Sequence, residues 1–295
     1  MSLRCNWERM RGEGSDTGDG LPGRRGVTVF LLLTFGWSWG VWVPKALGEA
    51  GLLEGIPQLP QVGAFGPTIA AFVLVTYVDG TAGARRLAGR AVSLDYPTRW
   101  LLPALCLAPA VVAASLAVAA LTGTVPSFPW AGNPIVLPVA FAFILFLGGP
   151  VQEEFGWRGY LLDPLQDRLT AVGGGVAVGL VWAVWHLPLF FVPSETLYYR
   201  EPFLGFAVSI TLLSVLMTWV YNNTNASLLP ALLFHTSFNW AQGMFPILES
   251  DPASLAFVAL FGATTLAVVW YWGPRRLVRS RDGAIGRSAS RFDQR

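Results

Sequence analysis

The chain has 295 residues, of which 53% are hydrophobic and only 13% charged, about half the charged share usual in soluble proteins. Mean hydropathy is +0.50, the net charge is +2, and there are 13 Trp and 19 Phe. This composition excludes a disordered chain, a collagen, a coiled coil and a disulfide scaffold. It argues against a soluble two-domain enzyme, because so few charges cannot cover so large a surface.

Residues 1–26 are rich in Gly, Arg and Asp and read as a disordered tail. Apolar stretches long enough to cross a bilayer as helices then fall near 27–46, 61–78, 100–122, 134–152, 171–192, 202–221, 228–248 and 253–273. The first of these has span length and no convincing cleavage site, so it reads as a membrane helix and not a signal peptide. A basic tail, 274–295, follows the last span. The expectation is an all-α, polytopic membrane helical bundle of about eight transmembrane helices, with 27–273 as its transmembrane domain, in the cell membrane and in contact with its lipids. Eighteen of the 20 Lys and Arg fall on one side of such an arrangement, with Lys45 and Arg200 on the other. By the positive-inside rule both tails are cytoplasmic. No nucleic-acid partner is expected, since the Arg-rich tails flank apolar spans. Cys5 and Cys106, in a polar tail and an apolar span, are not expected to pair.

Ionisable groups within a bilayer cost about 2.5–3.5 kcal/mol each and are presumed functional. In span 4, Gly148-Gly149-Pro150 should bend or restart the helix. Beyond it, Glu154 and Arg158 stand i,i+4 with the acid first, the favoured order for a helical ion pair. Glu153 points about 100° away, onto the stripe of Trp157 and Tyr160, where desolvation suits an acid–base group. His186, past the midpoint of span 5, shares a face with Gly175, Gly179 and Trp182, and the two glycines allow another backbone to come close. In span 7, His235 and Asn239 lie i,i+4, with Gln242 extending the stripe.

Three helices thus offer acid–base or donor groups, and no HExxH, CxxC or GxSxG is present. The set suits activation of water toward a carbonyl. A carboxylate and an imidazole deprotonate the water, and a second imidazole with an amide meets the developing oxyanion. Zinc held by Glu153, His186 and His235 is an alternative, since hydrolytic zinc sites take two histidines and a carboxylate. A proton-coupled transporter, with Glu153 and His186 as relay, and a non-catalytic membrane immunity or scaffold protein remain open as well.

The three motifs, in order, resemble those of one family. Glu153-Glu154-Phe155-Gly156-Trp157-Arg158 matches EExxxR, Trp182-Ala183-Val184-Trp185-His186 is similar to FxxxH with Trp for the leading Phe, and His235-Thr236-Ser237-Phe238-Asn239 matches HxxxN. They resemble the CPBP family of intramembrane proteases, which includes the type II CAAX prenyl endopeptidases and relatives linked to bacteriocin immunity, over a protease-like core of roughly 134–245. The resemblance implies an eight-span helical core and hydrolysis of a peptide bond in a peptide or lipidated protein substrate. It implies Glu153 as the water-activating residue with His186, Glu154 as an essential support, and His235 with Asn239 on the oxyanion side. Arg158 and Trp182 are supporting residues in this reading.

Overall fold

In a computed structural model, residues 23–55, 62–123, 126–199, 201–248 and 250–279 are described. Most of both expected tails, with Cys5, and Arg200 of the opposite face lie outside them. Cys106 is a free, exposed thiol. Ten α-helices, with short 3-10 and π turns between some of them, make up the described structure. They are α1 Arg24–Glu49, α2 Gly66–Gly89, α3 Leu101–Leu121, α4 Val136–Leu147, α5 Pro150–Gly156, α6 Leu162–Gln166, α7 Ala171–Trp185, α8 Phe203–Asn222, α9 Leu229–Met244 and α10 Asp251–Trp272.

Among the described residues seven helical segments are long and apolar enough to cross a membrane, and the chain is a multi-pass membrane protein. The remaining expected span corresponds to α9. Its 16 residues rise only about 24 Å, short of a hydrocarbon core of about 30 Å. Pro230 at its start and the extended backbone at Phe245 set its ends.

Two segments differ from the expected boundaries. The loop foreseen after span 2 is instead helical to Gly89, after a break at Gly80, where φ is +63°. Arg86 there pairs with Asp79. Span 4 does stop at Gly148-Gly149, as the Gly-Gly-Pro sequence requires, but the chain then re-enters helix and continues through α5, a π turn at Trp157–Leu161 and α6. Arg158 therefore does not belong among the cytoplasmic loop charges. It is fully buried inside the span.

Close helix packing follows from small residues. The most extensive pairing joins α7 to α8. Gly175 and Gly179 face this neighbour, and a Cβ on Gly179 would stand 2.6 Å from Thr211 Cα. Gly156 in α5 meets α2 in the same way, with Pro67 O 2.5 Å from where its Cβ would be. These approaches draw α7 and α5 inward and bury Trp157, Trp182 and Trp185.

At one end of the bundle Arg168 lies beside Gly23, and the Arg275 and Pro274 carbonyls accept hydrogen bonds from Ala171 and Val172. Lys45 and Glu195 pair at 2.6 Å at the far end of α1. If the α7–α8 seam is as tight as described, Gly179→Ala should cost about 1–3 kcal/mol through overpacking. Gly205→Ala, where nothing lies within 4 Å, should be neutral or slightly stabilising. Unfolding in detergent checks the pair.

Candidate active site

The site is assembled from the broken fourth span, the end of α7 and the middle of α9. The break itself is built by Gly149, whose φ of +118° is costly for any residue with a Cβ. Pro150 follows as the first helical residue, where its missing N–H is not needed. Gln152 then closes the turn in both directions. Its Oε1 accepts from Gly149 N at 2.6 Å, and its Nε2 donates to Leu147 O at 2.9 Å. Sequence reasoning passed over Gln152, although Gln three positions into a helix is a capping-box signal.

The two adjacent glutamates diverge as their helical spacing predicts. Glu154 is fully buried and holds a three-way contact. Arg158 Nη1 donates to both its oxygens, at 2.9 and 3.0 Å, and His235 Nδ1 lies 2.8 Å from Oε1. This contact ties α5 and the π turn to α9. The Arg158 guanidinium also lies over the Trp182 ring, 4.8 Å from its centroid.

Glu153, 4% exposed, turns the other way. Its Oε2 accepts from Trp182 Nε1 at 2.5 Å and from Trp157 Nε1 at 3.3 Å. Its Oε1 faces the kink. A Cβ at Gly149 would lie 2.7 Å from this oxygen, 3.5 Å from Asn239 Nδ2 and 3.6 Å from His235 Cε1. The bare glycine thus lets an acid, an amide and an imidazole gather closely against the kink. Asn239 is half-buried and donates to Gly148 O at 3.1 Å.

His186 is the residue on which α7 ends. Its Nδ1 lies 2.9 Å from Trp182 O. A carbonyl only accepts, so Nδ1 carries the proton, and Nε2 of the neutral ring keeps a free lone pair. Rings of Trp185, Phe206, Tyr198 and Trp182 surround it at 4.6–6.2 Å. Tyr198 comes from the loop after α7, and burial pushes its hydroxyl above the usual phenol range, so it stays protonated beside His186. Glu153 and His186 are not hydrogen-bonded to one another. They are linked through Trp182, which donates to one with its indole and accepts from the other with its carbonyl.

Glu153, Glu154, Arg158, Trp182, His186 and His235 are buried in the bundle, and Asn239 is half-buried. The zinc set is where the arrangement departs from expectation. Among the described residues no group of three His, Cys, Asp or Glu is placed to hold a metal ion. Glu153, His186 and His235 do not converge as ligands, because His235 is drawn to Glu154 and His186 is backed onto Trp182 and walled by rings.

A family model, type II CAAX prenyl endopeptidase Rce1-like, matches residues 135–241, which include every residue of the site. Over this segment the membrane core matches the CAAX protease (CPBP) family. That family is one of intramembrane endopeptidases, and this chain is accordingly a membrane-embedded peptidase. It is 27% identical over 236 residues, 75% of its length and 85% of the relative's, to a protein of Methanococcus maripaludis named CAAX prenyl protease 2. In this CAAX protease homologue the indole donors on Glu153 are the feature that sequence left unread. The Trp in place of the FxxxH Phe was the available signal.

Because Gly149 fronts the acid and holds a φ of +118°, Gly149→Ala should displace Glu153 and strain the helix break. Misplacement of a reacting group by about 1 Å costs on the order of 100-fold. A loss of at least that size in peptide cleavage, together with a lower unfolding free energy in detergent, is the expected result.

Proposed function

We propose that the protein hydrolyses a peptide bond near the end of a membrane-bound peptide or lipidated protein, using a water held between Glu153 Oε1 and His186 Nε2. The observation that carries this reading is the convergence of Glu153 Oε1, Asn239 Nδ2 and His235 beside the bare Gly149. Glu153 Oε1 takes one proton of the water, while His186 Nε2 accepts a hydrogen bond from the other, as the oxygen bonds to the carbonyl carbon. Asn239 Nδ2–H and His235 Nε2–H then donate to the oxyanion. The C–N bond breaks as the amine receives the proton that the base took up, leaving an acid and a free amine.

His235 has its Nδ1 on Glu154, so it donates from Nε2 only as an imidazolium. In that form Glu153, Glu154, Arg158 and His235 carry two negative and two positive charges, a neutral set suited to a site without bulk water. Glu154 acts as support by holding His235 and Arg158 in place.

A prenylated protein as substrate is supported by the matched family and by the name of the methanogen relative. Cell-membrane location with both tails in the cytoplasm is supported by the basic residues at one end of the bundle, Arg168 beside the start of α1 and Arg275 behind α7.

Glu153→Gln and His186→Ala should each reduce cleavage by about 100- to 10,000-fold with the fold intact. Terminal-peptide profiling of membranes carrying the wild type or Glu153→Gln reads this directly and finds the substrate. New termini that persist unchanged in Glu153→Gln would contradict the assignment.

A further inference from the structure

Trp182 occupies the first position of the FxxxH-like motif, where a Phe would offer no hydrogen bond. We infer that its indole N–H is a positioning element for the reaction, one that engages Glu153 Oε2 and so commits Oε1 to the water. The inference rests on the function proposed above and gives it a specific dependence.

The geometry is unusually direct. Trp182 is 1% exposed, and its Nε1 donates to Glu153 Oε2 at 2.5 Å, a close contact in which the anionic acceptor strengthens the bond. Trp157 reaches the same oxygen at 3.3 Å, a longer and weaker contact. Both indoles are on one side of the carboxylate, so the side chain cannot rotate to exchange its oxygens without breaking both. Oε1 is left with Gly149, Asn239 and His235 before it.

The same residue orients the second base, because Trp182 O accepts from His186 Nδ1 and so leaves the lone pair on Nε2. Its ring also carries the Arg158 guanidinium and packs edge-on to His235, with centroids 4.9 Å apart. A single side chain and its own carbonyl thus fix the relative placement of acid and imidazole. Trp182→Phe removes the N–H while keeping an aromatic ring and the backbone carbonyl. It isolates the indole donor from the packing.

The test is steady-state cleavage by purified Trp182→Phe, Trp157→Phe and Glu153→Ala, with unfolding in detergent followed for each. Trp182→Phe should lower kcat on the order of 10- to 100-fold with KM changed less than about twofold, since substrate binding does not use this bond. Trp157→Phe should lose less. Indole proton resonances of Trp-labelled wild type provide an arm that needs no Trp182 variant. One should lie far downfield and return toward the ordinary indole range in Glu153→Ala. Wild-type kcat in Trp182→Phe, or a loss expressed only in KM, overturns the positioning role even when Glu153→Ala is inactive. If Trp182→Phe does not fold, the resonance decides, and no downfield indole overturns the inference. Full activity in Glu153→Ala overturns the function itself, a result distinct from either.

Discussion

A charged carboxylate sealed from water persists only where compensating charge is brought to it, and in this bundle Glu154 is that carboxylate. Arg158 supplies charge from one turn along the same segment, and His235 supplies a donor from α9, 81 positions away in sequence. The contact fixes the rotation of α5 about its axis. With Glu154 turned to α9, Glu153 is forced toward the indoles of Trp157 and Trp182, since adjacent helical residues diverge by about 100°. The direction of the reacting acid is thus a consequence of where its neighbour is anchored.

The surroundings hold this anchor in register. The π turn at Trp157–Leu161 adds a residue to the helical turn that carries Arg158, the kind of local irregularity frequent at functional sites. Its Gly159 carbonyl accepts from Arg90 Nη1 at 2.9 Å. Arg90 also meets Tyr221, whose hydroxyl donates to Asp163 Oδ2 at 2.9 Å. A second polar network therefore braces the back of the turn, joining the end of α2 to α6 and α8. Gly156 and Gly179 bring the neighbouring backbones close enough for both networks to form.

Much of this was legible in the sequence for identifiable reasons. Apolar length marked the spans, and rarity of charge made Glu153, Glu154, His186 and His235 conspicuous. Helical spacing gave the Glu154–Arg158 pair, and the Gly-Gly-Pro run gave the restart at Pro150. The pairing of Glu154 with His235 was not legible, because nothing local records which distant helix packs against α5. Nor was the burial of Arg158, since a charge beyond a predicted span reads as a loop charge until the helix is seen to continue. The indole donors were hidden because a Trp on an apolar face reads as packing, and only the carboxylate beside it reveals the N–H as a partner.

The most direct test of the account is a double-mutant cycle on Glu154 and His235, using Glu154→Gln, His235→Gln and both together, with unfolding free energies measured in mixed micelles. If the bond between these residues sets the geometry of the site, the single costs should fail to add, with a coupling of about 1–3 kcal/mol. Additivity within about 0.5 kcal/mol would mean that α5 and α9 are placed independently of this contact, and would contradict the account.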